Sequence, residues 1–179
     1  MKKTVKKIII ALFAVILVLS AVSCGSKDDF VPAGYKRASN KNAAYTLYVP
    51  EGWISQTEGG VCGALAPTGD ANVVATTQML DTAYDKVDDF FKEKCLPEYK
   101  AYLPEFTLVE AECGEAIMGG MNAYKYVFTV KKGESSYKYQ QVIVIDNNLV
   151  YTVQYTADAS VYANYLEDVA SIVSNFALR

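Results

Sequence analysis

Residue types that carry out most enzyme and metal chemistry are scarce in this sequence of 179 residues. It contains four cysteines and no histidine. Without histidine the chain has no Ser-His or Cys-His nucleophile pair and no imidazole ligand for zinc. We therefore predict no catalytic residue, no metal site and no cofactor, and cysteine is the residue type whose positions need explaining.

Cys24 ends a segment that has the order of a bacterial export signal. Four lysines lie within the first seven residues, residues 8–19 are an uninterrupted apolar run, and the small residues Ala21 and Ser23 precede the cysteine. This order is typical of a bacterial lipoprotein signal, in which the thiol accepts a diacylglyceryl group. We predict that residues 1–23 are a signal peptide and that Cys24 is the lipidation site, carrying palmitate or a similar chain.

The alternatives for this segment are a retained transmembrane anchor and an ordinary secreted form. The uncharged stretch 8–23 has about 16 residues, whereas a helix that crosses a bilayer core needs roughly 20. Length therefore favours a removed signal. The predicted location is the bacterial cell envelope, with the protein held by its lipid on the extracytoplasmic side of a membrane.

Removal of the signal makes the chain more acidic. The full sequence has 17 basic and 20 acidic residues; losing four lysines leaves 17 − 4 = 13 basic residues and a formal net charge of 13 − 20 = −7. Nucleic acids require a basic patch on their partner. We therefore predict no nucleic-acid partner.

The remaining cysteines, Cys62, Cys95 and Cys113, lack the close spacing of a zinc ribbon or a Cys-x-x-Cys redox motif. We expect them to be small buried apolar residues. The alternatives are one disulfide that leaves a third thiol free, or a nucleophilic Cys62 that would lack a histidine base.

Two groups of carboxylates have both a structural and a chemical interpretation. Asp85, Asp88 and Asp89 fall in the first turns of a predicted helix, where the helix dipole favours negative charge, and they lack the spacing of a calcium loop. Glu110 and Glu112 share one face of a predicted strand, as solvated charges or as a glycosidase pair that would need a cleft.

Tyrosine gives the one positive indication of recognition. All 14 tyrosines follow Cys24, and six fall in one regular region of the chain. A tyrosine suits half-buried sheet positions, and its ring with a polar tip also suits binding surfaces. These six are either core residues or a surface for a protein or carbohydrate: Tyr124, Tyr126, Tyr137, Tyr139, Tyr151 and Tyr155.

Residues 24–42 are polar and rich in turn formers, and we predict a flexible tether there. The alternative is that Phe30, Val31 and Tyr35 dock on the domain. Residues 43–179 have the length of a single domain.

Within this domain, alternation predicts strands at 45–49, 61–65 and 72–80. Apolar residues then recur three and four apart, which predicts a helix that begins at Asp81 or Thr82 and stops at Pro97. A strand is predicted at 106–111.

An antiparallel meander follows, with strands 124–130, 137–145 and 149–156. A two-residue turn at Lys132 and Gly133 would place Phe128 opposite Tyr137 and Tyr126 opposite Tyr139. A two-residue second turn would put Tyr151 and Tyr155 on the opposite face, and a three-residue turn would put them on the same face. Both faces carry apolar residues, so we expect cover on both. Residues 160–177 predict a final helix capped by Asp158 or Ser160.

The order of these elements and several segments resemble one known family. Residues 45–50 followed by Glu51-Gly52-Trp53, the turn sequence 117–124 before the meander, and residues 150–157 leading to a helix that ends near Phe176 are similar to the PsbP-like superfamily, which includes the DcrB-like bacterial lipoproteins. The resemblance implies an α+β fold, with a central antiparallel sheet between helices in an α/β/α sandwich, and a scaffold that mostly binds proteins. It provides no catalytic residues, and metal-binding histidines of some relatives have no counterpart here.

We therefore predict a lipid-anchored, non-catalytic envelope protein that acts as a protein-interaction or assembly module. Its partners would be the membrane, through lipidated Cys24, and a protein of unknown identity. The alternative is a lipoprotein that binds a small molecule or glycan. A hydrolase that uses carboxylates or Cys62 is the third hypothesis.

Overall fold

An antiparallel sheet of eight strands organises the part of the chain that the computed structural model describes, residues 31–58 and 61–179. The predicted signal peptide and Cys24 lie outside the described residues. The long strands are β4 (Ile54–Glu58), β5 (Val61–Leu65), β6 (Ala71–Met79), β8 (Gly114–Met118), β9 (Met121–Lys132), β10 (Ser135–Asp146) and β11 (Leu149–Asp158). With the two-residue strand β7 (Thr107–Leu108), their order across the sheet is β4-β5-β6-β11-β10-β9-β7, and β8 also pairs with β9.

The meander β9-β10-β11 is present, and its first turn lies one residue later than predicted. Lys132 pairs with Ser135, so the two turn residues are Gly133 and Glu134. The left-handed backbone of Gly133, with φ of 64°, fits this turn. The predicted pairs are therefore wrong: Phe128 lies opposite Tyr139, and Tyr126 lies opposite Gln141. The observed register differs from the predicted one by two residues. Phe128, Tyr126, Tyr137 and Tyr139 therefore still lie on one face of the sheet, as predicted.

The second turn has two residues, Asn147 and Asn148, because Asp146 pairs with Leu149. Both asparagines have positive φ, at 47° and 62°, as a two-residue type I′ hairpin requires. Tyr151 and Tyr155 consequently lie on the opposite face from Tyr139.

Helices cover both faces of the sheet, as predicted. One face packs under a continuous helical segment made of α1 (Val87–Phe90), a π-helical turn (Phe91–Cys95) and α2 (Leu96–Tyr102). The other face packs under α3 (Leu166–Ser174) and three short strands, β1 (Tyr35–Arg37), β2 (Tyr45–Thr46) and β3 (Tyr48–Pro50). The last strand, β12 (Ala177–Leu178), pairs with β2. The α+β sandwich is therefore confirmed.

Pro97 lies inside the helical segment, so the predicted stop is wrong. A proline has no N–H to donate to the carbonyl four residues before it. The π-helical turn directly precedes it, and within that turn the N–H of Leu96 donates to the carbonyl of Phe91, five residues back. The widened turn accommodates the proline without ending the helix.

Three other predicted features differ from the structure. The first helix begins at Val87, with Lys86 at its N-cap, so it starts later than the predicted Asp81 or Thr82. The strand 106–111 is reduced to β7, and Glu110 and Glu112 lie in a 3-10 turn (Glu110–Glu112) that is too tight to align them on a strand face. The Glu112 carboxylate accepts a hydrogen bond from the Lys138 ammonium at 2.5 Å and forms an ion pair with it. The shared strand face on which the glycosidase hypothesis rested is therefore absent.

The final helix is shorter than predicted and has a different start. A 3-10 turn (Tyr162–Tyr165) precedes α3. The Asp158 carboxylate accepts hydrogen bonds from the backbone N–H and hydroxyl of Ser160, at 2.9 and 2.6 Å. Neither residue caps the helix, because this local turn occupies them both.

The predicted tether extends too far along the chain. Its residues Tyr35–Arg37 form β1, which pairs with β3, and the Tyr35 hydroxyl donates to Ser171 Oγ of α3 at 2.5 Å. The alternative that this region docks on the domain therefore holds for Tyr35. Among the described residues, no helix is long and apolar enough to cross a membrane.

Candidate recognition surface

The structure divides the six predicted recognition tyrosines into two groups. Tyr126, Tyr151 and Tyr155 are buried in the core. The Tyr126 ring stacks on Phe91 with 3.5 Å between ring centroids, and the Tyr155 hydroxyl donates to the backbone carbonyl of Tyr162 at 2.8 Å. These three tyrosines cannot contact a partner without disruption of the core.

Tyr124, Tyr137 and Tyr139 are half-buried and lie on the sheet face that carries the helical segment. Tyr139 stacks on Phe128 with 4.9 Å between ring centroids and an interplanar angle of 6°. Tyr124 packs against Tyr126 at the other end of the strands. The structure therefore does not bring all three together: Tyr137 and Tyr139 share one end of the face, and Tyr124 lies in a separate cleft.

A row of directly paired residues runs across this face, from the buried Phe128 on β9 to the edge strand β4. Each member pairs with the next on the neighbouring strand, and the row passes from under α2 to a region that no helix covers. At its outer end Ile54 is 55% exposed. The row consists of Phe128, Tyr139, Thr156, Asn72, Leu65 and Ile54.

The centre of the uncovered part of this face is partly exposed and carries no charge at its paired positions. Charged residues lie at its ends, where Glu58 pairs with Val61 and Asp158 pairs with Tyr137. Strand β6 alternates between buried residues that face α3 and half-buried residues on the uncovered side. We call this region the open sheet face; its residues are Ile54, Gln56, Val61, Leu65, Asn72, Val74, Thr76, Thr152, Gln154 and Thr156, with Tyr137 and Tyr139 at its β10 end. Depletion of charge together with tyrosine is the compositional signature of protein interfaces.

Gly63 gives the open sheet face a depression of about 740 Å³. A Cβ atom at this position would lie 2.5 Å from the carbonyl oxygen of Val73, so the close approach of β5 and β6 requires glycine. Val74 lines both this depression and a smaller one of about 220 Å³ beside the helical segment. The surface is therefore concave from β5 to the helix.

A chain of side-chain hydrogen bonds closes the helix side of this surface. Gln141 donates to Gln154 at 2.7 Å and exchanges hydrogen bonds with the Tyr99 hydroxyl of α2 at 2.9 and 3.0 Å. Burial raises the pKa of Tyr99 to about 12. Because Gln141 is buried and fully paired, this network fixes the helical segment to the sheet.

Tyr124 lines a cleft of about 830 Å³ between the start of α1 and the β8–β9 hairpin. Its apolar lining includes Ile117, whose side chain is 56% exposed. Asp88 is already engaged, since its carboxylate accepts hydrogen bonds from Lys92 at 2.6 Å and from the Tyr126 hydroxyl at 3.2 Å. Within the described residues, no group of carboxylates and cysteines could hold a metal ion.

The three described cysteines are free thiols, which contradicts the disulfide alternative. Cys62 is buried, and Cys113 accepts a hydrogen bond from the Val127 N–H at 3.3 Å. Burial raises the pKa of the Cys95 thiol to about 11, which disfavours the thiolate that nucleophilic chemistry needs.

Sequence reasoning missed most of the open sheet face because it followed the tyrosines alone. Its polar members on β11, Thr152, Gln154 and Thr156, alternate with buried residues in the sequence. This alternation, with no charge before Asp158 at the end of the strand, was the available signal. The contributions of Ile54 and Gly63 depend on strand pairing that spacing does not reveal.

No protein-family model matches the chain, and no curated protein matches it. Several solved structures do match it. The solution structure of cyanobacterial PsbP (CyanoP) from Synechocystis sp. PCC 6803 aligns with a TM-score of 0.59 at 14% identity, covering 88% of this chain and 98% of that one.

Two further solved structures align over most of both chains. LpqN of Mycobacterium tuberculosis, involved in cell envelope biogenesis, gives a TM-score of 0.57 at 15% identity and covers 80% of this chain and 90% of its own. The Ran-binding protein Mog1p of Saccharomyces cerevisiae gives 0.56 at 8% identity, with 80% and 95% covered. At these identities the likeness concerns the fold. The predicted resemblance is confirmed at that level: the chain has the PsbP-like fold.

Proposed function

We propose that this protein is a lipid-anchored, non-catalytic module of the bacterial envelope that binds another protein through the open sheet face. The observation that carries the proposal is the concave and partly exposed surface, whose central positions carry no charge, on an acidic chain. Surface charge keeps a protein soluble, and depletion of charge marks the core of protein interfaces, so the uncharged centre of this face favours a binding role.

Two further observations support the cellular setting. The order of lysines, apolar run and small residues before Cys24 is that of a lipoprotein signal. One protein of similar fold, LpqN, is described as involved in cell envelope biogenesis, and another, Mog1p, is described as Ran-binding. Their names concern an envelope process and protein binding, and they support the proposal only by analogy of fold.

The test uses two neighbouring threonines of β6 that point to opposite faces of the sheet. Thr76 lies on the open sheet face opposite Thr152, and Thr77 lies opposite Tyr151 on the other face. Both threonines are exposed. A photo-crosslinking residue at Thr156 should trap a reproducible protein partner in intact cells, and Thr76→Glu should reduce the adduct about tenfold by placing an unpaired charge in the interface.

Thr77→Glu is the matched control and should leave the adduct unchanged. Equal loss of the adduct in both variants would indicate a general effect of charge. Equal retention would show that the partner does not use the open sheet face.

A second candidate function is binding of a small molecule or glycan. The cleft beside Tyr124 favours it, because its volume of about 830 Å³ falls in the range of typical ligand sites and combines apolar walls with polar groups. This candidate remains if the crosslinking result excludes the open sheet face.

A further inference from the structure

The sheet ends in an open edge at β4. This strand pairs with β5 on one side, and no strand of the described chain pairs with its other side. The side chains of Ile54, Ser55, Gln56 and Thr57 are exposed. An edge strand with free backbone groups is a template for pairing with another chain.

The free backbone groups belong to Ser55 and Thr57. Residues of an antiparallel pair alternate between those that bond across the ladder and those that point away from it. Because Glu58 pairs with Val61 across a two-residue connection, the alternation places the N–H and C=O groups of Ser55 and Thr57 on the outer side. Neither residue makes a backbone hydrogen bond to any other part of the described chain.

This edge lacks most of the features that normally prevent strand addition. Proteins protect exposed edges with lysine, proline, bulges or very short strands. Strand β4 has five residues, Ile-Ser-Gln-Thr-Glu, with neither a basic residue nor proline, and its one charged residue, Glu58, lies at the hairpin end beyond the outward-facing Ser55 and Thr57. At the opposite end of the sheet, β7 has only two residues and β8 carries Glu115 at its second position.

We propose that β4 pairs antiparallel with β4 of a second copy of this chain, around a two-fold axis at Gln56. In this register Ser55 lies opposite Thr57 of the second copy, Gln56 lies opposite Gln56, and Ile54 lies opposite Glu58. The segment is complementary to itself, because no like charges meet and the two Gln56 amides face each other, while the Thr57 hydroxyl keeps its hydrogen bond to the Ala38 carbonyl at 3.4 Å. A two-fold axis also satisfies the outward groups of both copies equally.

The pairing has a consequence for the open sheet face. Residues directly opposite each other in a sheet project to the same side. The two-fold pair therefore joins the open sheet faces of two copies into one continuous surface. The proposal goes beyond partner binding, since the dimer forms at the edge and leaves Thr76 uncovered.

The test is disulfide formation in cells that express the full chain. In a two-fold register, Gln56→Cys places two thiols in directly opposite positions, at a separation that suits a disulfide. Mild oxidation should yield a dimer of the chain that reducing agent reverses. Gln78→Cys, an exposed glutamine on β6, is the matched control and should give at least about tenfold less dimer. The wild-type chain sets the background from its own cysteines.

A blocking variant tests the backbone pairing itself. Ser55→Pro removes an N–H that points to solvent in the single chain, so the monomer should tolerate it. Combined with Gln56→Cys, it should reduce the dimer at least about tenfold. If Ser55→Pro lowers the midpoint of thermal unfolding, Thr57→Pro is used in its place, because it removes the other outward N–H.

Three results would overturn the proposal: no dimer with Gln56→Cys, as much dimer with Gln78→Cys, or a dimer insensitive to the proline variants. Formation of an adduct with a different protein in place of the dimer would also overturn it. The Thr76→Glu experiment is independent of these results, because Thr76 lies away from the edge.

Discussion

At the scale of single residues, buried tyrosines are the most distinctive feature of this protein. Burial raises the pKa of several tyrosines above the ordinary value, and the shift is largest for Tyr45, Tyr99, Tyr126, Tyr155 and Tyr162. In most of them the hydroxyl group makes a hydrogen bond within the protein. The Tyr45 hydroxyl, for example, donates to the carbonyl of Ala75 at 2.6 Å. Tyrosine thus serves here mainly as a core residue with a satisfied polar tip.

These shifts predict that the protein loses stability in alkali. A raised pKa means that the folded state holds a proton which the unfolded state releases near pH 10, so the free energy of unfolding falls as pH rises. For Tyr99, with a pKa of about 12, the contribution is complete below about pH 10 and declines up to about pH 12. Urea unfolding between pH 8 and pH 11.5 should therefore show Tyr99→Phe with a shallower decline than the wild type.

Tyr102→Phe is the control, because that side chain is 82% exposed, and it should decline in parallel with the wild type. At neutral pH, Tyr99→Phe should cost about 1 kcal/mol for the lost hydrogen bonds with Gln141. Identical pH profiles for the wild type and Tyr99→Phe would contradict the assignment.

At the scale of elements, turn chemistry sets which side chains reach which face. The second hairpin has two consecutive asparagines with positive φ, and asparagine and glycine are the residues that adopt this conformation at low cost. The two-residue loop therefore directs Tyr151 and Tyr155 into the core under α3, away from the face of Tyr139.

Replacement of Asn148 tests this role. Asn148→Val should lower the free energy of unfolding by about 1–3 kcal/mol, because a β-branched residue is strained at positive φ. Asn148→Gly, which relieves the same strain, should match or exceed the wild type. Chemical denaturation of the three chains measures the difference. An Asn148→Val chain as stable as Asn148→Gly would show that the turn does not constrain the hairpin.

The helical segment shows how tertiary packing overrides a local signal. Pro97 predicts a helix end, yet the helix continues to Tyr102. The side of the segment that faces the sheet buries Phe90 and Phe91, and Tyr99 of α2 holds Gln141. Burial of these rings favours continuation of the helix past Pro97. The π-helical turn accommodates the hydrogen bond that proline cannot donate.

At the scale of the whole molecule, the proposed anchor and the described domain have separate roles. The domain would present the open sheet face, and lipid on Cys24 would keep it at a membrane. Metabolic labelling with a fatty-acid probe should mark the wild-type chain and not Cys24→Ser, because the thiol is the acceptor. Cys113→Ser, which removes a partly buried thiol, should keep its label. Label on Cys24→Ser would contradict lipidation at this site.

The sequence by itself determined the class of the fold and the absence of histidine chemistry. Alternation and helical periodicity depend on which face of an element is buried, so they predicted the antiparallel meander and the cover on both faces without knowledge of distant contacts. The hairpin turn at Gly133 and Glu134 shows the limit of this reasoning. Several adjacent residues could form the turn, and the packing of the paired strands decides which of them do.

Only the tertiary structure decided which residues form the candidate surface. Tyr126, Tyr151 and Tyr155 have the same sequence signature as Tyr139. Tyr126 shares its face but is buried under the helical segment, whereas Tyr151 and Tyr155 point into the core on the opposite face. The pairing of Ile54 with Leu65, and of Leu65 with Asn72, joins segments whose sequence spacing gives no sign of contact. Burial is a property of what packs above a side chain, and that partner comes from elsewhere in the chain.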